Sequence, residues 1–549
     1  MNHRQDALDA LDAIFAPLNR SDAPGLVVGV ALKGQPIYRR GFGLASLEHG
    51  VANTPATRMR IGSTSKHFCC LAALLLAEDG RLDIDASVRR YLPELPAMSP
   101  EPTLRQFMSH TSGLRDYLDL SFIACGMAIT PAGAALAAQA RQTDVNFAPG
   151  EQQVYANGPY QLLSLVIERV AGVPFEQFLK ERLFEPLAMH DTVSVPSDFE
   201  IHRGMATQHV PQPGGGWRRG LFPTEEVRGE GAIVSCVDDM LRWLAHLRGP
   251  QHRVGSESSW AQMLTPARLN NGHLGSYALG LMVERYRGLE VIHHGGTVIG
   301  GNCQMITVPA HELDVILLSN GVPVVLADLA NQVIEAVLGE DAFSTPAEKT
   351  AATDDYRPLL DATYLCAATG MTLAFGDVGG KLGLRINHSP PIPAREDAEA
   401  GALSIPFSRI VTGPYRLALR PLAEGEAAPA SLQLEVGGTP CTLERLPAQA
   451  APGAGRVLAG RYRVPDLKAE ARIEADTDAD NEDGALVAHI GSEFGPNRLT
   501  LKPLSDTLFT WNFTGQLAAL GGVAHLQPDG DLRLHTLRTR HLRFQRIAE

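Results

Sequence analysis

The sequence predicts a multidomain protein, with an α/β (α+β) domain over residues 1–340 and two antiparallel β-barrel domains over 356–446 and 457–549. Three observations carry this reading. Up to about residue 340, short apolar runs with the period of strands alternate with longer stretches whose apolar residues recur every three or four positions, as on one face of a helix. Residues 341–355, DAFSTPAEKTAATDD, are polar and periodless, the character of a linker. Beyond them KLGLRI, YRLALR, SLQLEV, ARIEA, LTLKPL and LRLHTL recur between turn residues without a long helix, and PAQAAPGAGR, 447–456, splits this region into two pieces of similar size.

The elements follow in order. The stretch MNHRQDALDALDAIFAPL carries acidic residues every few positions where a signal peptide needs an unbroken apolar core, so it reads as a surface helix. GLVVGVALKGQPIYRRGFG, 25–43, predicts two strands around a Lys33-Gly34 turn. Phe68 to Ala77 is apolar on every face, as a central buried helix is, and stops before Gly80. Leu162, Leu163, Val166, Ile167 and Val170 form a helical stripe between Gly158 and Gly172, and Val237 to Leu247 is amphipathic. GLEVIHHGGTVIGGNCQMITV and DVILLSN read as strands, and Ala327 to Leu338 as a closing helix. The two β pieces open alike. Tyr364 and Tyr462 lead short strands, followed by Gly380-Lys381-Leu382 and Gly484-Ala485-Leu486, which predicts two copies of one barrel.

Composition narrows the function. Acidic residues outnumber basic ones, 61 to 48, and the formal charge of -13 repels nucleic acid and anionic membranes. The longest apolar run is about half of the ~20 residues a membrane helix needs. The seven cysteines are odd in number and show no metal-ligand spacing, so neither a disulfide framework nor a zinc site is expected, and a cytoplasmic location is. The acidic run EADTDADNEDG, 474–484, places Asp476, Asp478 and Asp480 at calcium-loop spacing, but Asn481 stands at the glycine position and Val487 at that of the bidentate glutamate. No metal and no cofactor is expected.

Chemistry concentrates at three places. In IGSTSKHFCC, Ser63 and Lys66 are three residues apart at a helix start, which puts hydroxyl and amine on one face. Burial and the helix dipole both lower the lysine pKa, so a neutral amine there could take the serine proton. A capping serine with a surface lysine has the same spacing. EQQVYANGPYQLL supplies Tyr155 and Asn157 just before a helix. A phenol beside an ammonium has its pKa lowered and could shuttle a proton, and an amide could hold a substrate amide. HHGGT, 293–297, gives a strand without side chains at Gly295 and Gly296, where a substrate could pair edge-on, though such a pair also suits a bulge.

In this order, and with FMSHTSGLRDY, FEPLAMHDT and YALGL between them, the three elements resemble the serine penicillin-recognising enzymes, whose signature includes Ser-x-x-Lys. GLRDY, HGG, GRY and the three-domain layout are most similar to the D-stereospecific aminopeptidases, which carry two eight-stranded barrels behind a β-lactamase-like catalytic domain. The resemblance implies Ser63 as nucleophile, Lys66 and Tyr155 as proton carriers, and His294 as third-motif residue. It implies Asn157 and Gly296 as substrate contacts and the Ser63 and Thr297 N–H groups as oxyanion hole. It also implies a small peptide, amide or ester substrate and a loop from the last barrel that gates the cleft. The oligomeric state is left open, with a homodimer as one candidate. The expected gating loop is HIGSEFGPNRLT, 489–500, with Gly491, Glu493, Asn497 and Arg498. A related esterase, a β-lactam hydrolase or DD-peptidase, and a scaffold with ligand-binding barrels and no catalysis are the other readings. Penicillin-binding proteins usually carry a lysine at the third motif, and His294 is largely neutral near pH 7, which weighs against a carboxypeptidase.

Overall fold

The structure, a computed structural model, describes residues 2–249, 251–397, 401–410, 414–423, 425–447, 454–476 and 485–547. Gly484 of the internal repeat, residues 448–453 of the second linker, and Asp478, Asp480 and Asn481 of the acidic run lie outside the described residues. Asp476, at the edge of that run, pairs with Arg498.

A six-stranded antiparallel sheet organises the first domain, in the order Met282–Tyr286, Leu289–Val298, Gly301–Val308, Leu313–Ser319, Leu26–Leu32, Gln35–Phe42. The hairpin expected around Lys33-Gly34 is present, with both turn residues at positive φ. Leu26–Leu32 is buried along almost its whole length because helices cover both faces. On one face Asn2–Phe15 and Leu326–Leu338 pack Leu11, Phe15, Val333 and Ile334 against Val28, Val30, Val315 and Leu317. On the other, Lys66–Glu78 sits at the centre of the largest core, with Gly158–Ala171 and Val237–Arg248 around it. Phe68 to Leu76 are buried on every side, which is why that run shows no amphipathic period.

The second unit is a nine-stranded antiparallel sheet running from Ile392–Pro393 round to Arg395–Asp397. Those two edge strands are separated only by Ala394, so 392–397 is one bent strand that pairs with Lys381–Ile386 on one side and Ala402–Ile405 on the other. Counted so, eight strands enclose a core of Tyr364, Leu373, Leu384, Leu403 and Leu434. The end of the expected 341–355 linker belongs to this barrel. Ala351 donates to Ala394 O, accepts from Leu382 N, and buries its side chain in the same core. The third unit is a closed eight-stranded barrel from Gly460–Val464 to Leu542–Ile547, sealed by Tyr462 opposite Arg546.

The helix Tyr117–Cys125 of the first domain is apolar on nearly every side, and the third unit explains why. Leu120, Phe122, Ile123 and Ala124 share one continuous core with Tyr462, Ile490, Leu499, Trp511 and Phe544 of the closed barrel. Two polar locks flank this contact. The buried Arg115 guanidinium donates to Asp466 Oδ2 at 2.6 Å and to the Arg540 and His541 carbonyls at 2.8 and 3.0 Å. Asn146 exchanges bonds with Arg538 O and Arg540 N, both at 2.7 Å. Among the described residues no helix is long and apolar enough to cross a membrane.

Asp466→Ala leaves the Arg115 guanidinium buried beside a lost counter-ion, a change that costs about 3–5 kcal/mol. Thermal unfolding should show that loss, with earlier proteolysis between the first domain and the last barrel. An unchanged melting temperature would mean the pair does not hold the interface.

Candidate active site

Ser63 lies in the 3-10 turn Gly62–Ser65 that runs directly into Lys66–Glu78. Two glycines let the strand Leu289–Val298 close on this turn. Gly62 has φ +52, and a Cβ there would stand 2.9 Å from Thr297 N, while a Cβ on Gly296 would lie 1.8 Å from Ile61 O and 3.1 Å from Ser63 N. The missing side chain of Gly296 therefore makes room for the nucleophile turn. The same approach brings the Gly62-Ser63 and Gly296-Thr297 peptides together. Met282–Tyr286 pairs with Leu289–Val298 only as far as Met282 opposite His293, so residues 294–298 have no partner strand on that side. An extended substrate has an open edge there.

Lys66 Nζ is fully buried beside three oxygens, Ser63 Oγ at 3.0 Å, Asn157 Oδ1 at 2.9 Å and Glu230 O at 2.8 Å; the protonated amine donates to all three, and the free amine donates to Asn157 and Glu230 while accepting from the Ser63 hydroxyl. Burial drives its pKa down to about 7, against the opposing pull of Glu230 and Asp116. Burial raises the neighbouring Glu230 carboxyl, which accepts from Tyr117 OH at 2.7 Å. Amine and carboxyl titrate as a unit.

Asn157 is held at both ends of its amide. Its oxygen accepts from Lys66, and its Nδ2 donates to Asp116 Oδ2 at 2.9 Å, as its backbone N does at 3.1 Å. One amide hydrogen is left for a substrate. Tyr155 is buried with its ring 4.6 Å from Lys66 Nζ, and its hydroxyl makes no well-formed hydrogen bond. The expectation that an ammonium lowers its pKa is overturned: burial pushes the phenol up, with the Ser63 hydroxyl opposing the rise. The phenol lies wholly buried, and the desolvation of a phenolate outweighs the favourable pulls of Ser63 and the Arg538 guanidinium.

His294 is buried, and burial with the nearby Lys66 pushes its pKa down to about 3. A neutral ring with its proton on Nδ1 satisfies both its contacts, donating to Gly295 O at 2.6 Å and accepting at Nε2 from Tyr277 OH at 3.0 Å. His110 completes an aromatic wall, its ring centroid 4.1 Å from Tyr155 and 4.5 Å from Tyr277.

These groups open into a cavity of about 730 Å³ lined by Ser63, Tyr155, Asn157, Glu230, Thr297 and, from the last barrel, Arg538. The gating loop expected at 489–500 does not reach it. Leu486–Ser492 and Gly495–Pro503 form a regular hairpin in full register, so the glycines serve a tight turn rather than a projecting excursion. Asn497 donates to Phe122 O and Ile123 O at the back of the helix Tyr117–Cys125. Glu493 pairs with Lys468 and Arg141, Arg498 with Asp476, and Gly491 lies within its strand. The last barrel reaches the cavity instead through Arg538, in the turn 536–541, and through Leu517 and Leu520. Sequence reasoning assigned no role to His110, Asp116, Glu230, Tyr277 or Arg538. The HTSG, GLRDY and YALGL phrases contain three of them; Glu230 and Arg538 have no local signal.

Residues 11–338, more than half of the chain, match the family described as Beta-lactamase, and the chain belongs to that family. The D-aminopeptidase of Brucella canis is 28% identical over 378 residues, covering 67% of this chain and 69% of that protein. That of Cereibacter sphaeroides is 28% identical over 482 residues, 85% of each, a span long enough to run into the barrels. Among solved structures, an octameric penicillin-binding protein homologue from Pyrococcus abyssi is 18% identical, with a TM-score of 0.56 over 92% of this chain and 98% of that one. It shares the fold.

Glu230→Gln removes an anion that favours protonated Lys66, so the free amine should persist to lower pH. The acid limb of kcat/KM, which rises as Lys66 loses its proton, should move down by about one pH unit. A limb that stays in place would separate Glu230 from the titration that controls rate.

Proposed function

We propose that the chain is a serine hydrolase of the D-aminopeptidase type, which acts on small peptides, amides or esters and releases an amino-terminal D-residue through an acyl-enzyme. The observation that carries this reading is the buried Lys66 amine, 3.0 Å from Ser63 Oγ and with its pKa lowered to about 7, so that a free amine is available at neutral pH. Lys66 takes the Ser63 proton as Oγ attacks the carbonyl carbon. The charge that develops on the carbonyl oxygen falls between the Ser63 and Thr297 N–H groups. The Lys66 proton passes by way of the neutral Tyr155 phenol to the leaving nitrogen, and the C–N bond breaks. A water molecule then repeats the attack with the same base and frees Ser63.

Two features bear on the substrate. In the cavity lining Glu230 is the carboxyl beside Lys66, and it is the group that could meet a substrate ammonium. His294, held neutral, gives no fixed cation for the carboxylate that a DD-peptidase or β-lactam hydrolase must bind. Leu118, Phe122, Phe222, Leu517 and Leu520 line the same cavity and offer an apolar side chain a place. The D-preference rests on the D-aminopeptidases that the chain resembles.

Seven cysteines free of disulfides support a reducing, cytoplasmic setting. Light scattering distinguishes a monomer from a homodimer. Matched anilides test the activity: D-alanine anilide should turn over at least tenfold faster than the L-form, and D-phenylalanine anilide should be accepted. Equal turnover of both enantiomers, with faster turnover of simple esters, would favour the esterase reading.

A further inference from the structure

Arg538 belongs to the last barrel, in the turn between Leu532–His535 and Leu542–Ile547, yet it lines the cavity with Ser63. Its guanidinium stands 3.1 Å from Asp116 Oδ2 and 2.6 Å from Asp119 Oδ1. Thr536 Oγ1 donates to Asp119 Oδ2 at 2.5 Å and accepts from Arg538 N at 3.0 Å and Thr539 N at 2.8 Å, which fixes the turn. Asp116 caps the helix Tyr117–Cys125 through Leu118 N at 2.8 Å and receives both N–H groups of Asn157. Asn157 in turn receives Lys66. An unbroken chain of hydrogen bonds and ion pairs thus runs from the barrel through Asp116 and Asn157 to the amine beside Ser63.

We propose that Arg538 is a positioning residue of the active site, holding Asp116 and through it Asn157 and Lys66, so that the last barrel completes the machinery of the first domain. This rests on the reading of Lys66 as the base. Position and charge both matter. Asp116 favours the protonated form of Lys66 and Arg538 opposes it. Glu230, His110, His294, Tyr155, Tyr160 and Cys69 also face the amine, and Asp119 faces the guanidinium. With Arg538 neutralised, the charge on Asp116, still held by three N–H donors, acts on Lys66 without its counter-ion. Lys66 then keeps its proton to higher pH.

The test uses the full chain and acylation by p-nitrophenyl acetate, followed by colour release and by intact mass, with pH profiles for each variant. Arg538→Gln should move the acid limb of acylation up by about one pH unit, which lowers the rate at pH 7 roughly fivefold. Asp116→Asn should move the limb down, the double variant should return it close to the wild-type position, and Arg538→Lys should recover part of the loss. Thermal unfolding identifies any variant that has lost its fold, and Arg538→Lys then carries the comparison. Limbs that stay fixed while rates fall equally in all variants would overturn the proposal and leave Arg538 a purely structural contact. A wild type that acylates and shows these shifts but does not distinguish D- from L-alanine anilide would contradict the substrate reading while sustaining the role of Arg538. A wild type that does not acylate at all overturns both.

Discussion

Lys66 Nζ is withdrawn from water into a pocket of protein oxygens and aromatic rings, and the desolvation that results keeps it uncharged near neutrality. The surrounding structure is arranged to make that burial sustainable. The central helix is apolar on all sides, so the amine at its first turn is backed by the largest core of the protein. Its two N–H groups meet Asn157 Oδ1 and Glu230 O and its lone pair meets the Ser63 hydroxyl, which avoids the penalty of an unpaired buried polar group. Two glycines allow a strand to close over the turn, and the same closure aligns the peptide groups on which the oxyanion would rest.

The barrels bear on this site unequally. The closed barrel shares a core with the helix Tyr117–Cys125, whose N-cap is Asp116, so burial of apolar surface at the interface and orientation of the active-site amide are one event. An apolar helix that would be a liability on an isolated domain becomes the plug of a barrel. The nine-stranded unit reaches the same turn more lightly, through Asn387 Nδ2 donating to Thr536 O at 3.1 Å.

Much of this was legible in the sequence where the physics is local. The Ser63 to Lys66 spacing at a helix start, the apolar run behind it, the hairpin at Lys33-Gly34 and the alternating runs of the barrels each depend on neighbours within a few positions. The burial of Lys66 was readable from the apolar run that follows it. The Tyr155 pKa was misjudged because it depends on how completely the phenol is buried, which is fixed only after folding. The gating loop was misplaced for a related reason: Gly491, Gly495 and Pro496 have the composition of a turn whether it projects into a cleft or closes a hairpin. Arg538 left no trace in the sequence, since an arginine among Thr-Leu-Arg-Thr-Arg becomes meaningful only when the barrel docks and two aspartates meet it.

The central claim, that a buried neutral lysine activates Ser63, is tested most directly by peptide mass mapping after brief exposure to a slow acylating substrate at pH 7. The account predicts an adduct on Ser63 in the wild type, no adduct in Ser63→Ala, and one formed at least a hundredfold more slowly in Lys66→Ala. An adduct on another residue, or undiminished labelling of Ser63 without the Lys66 amine, would contradict it.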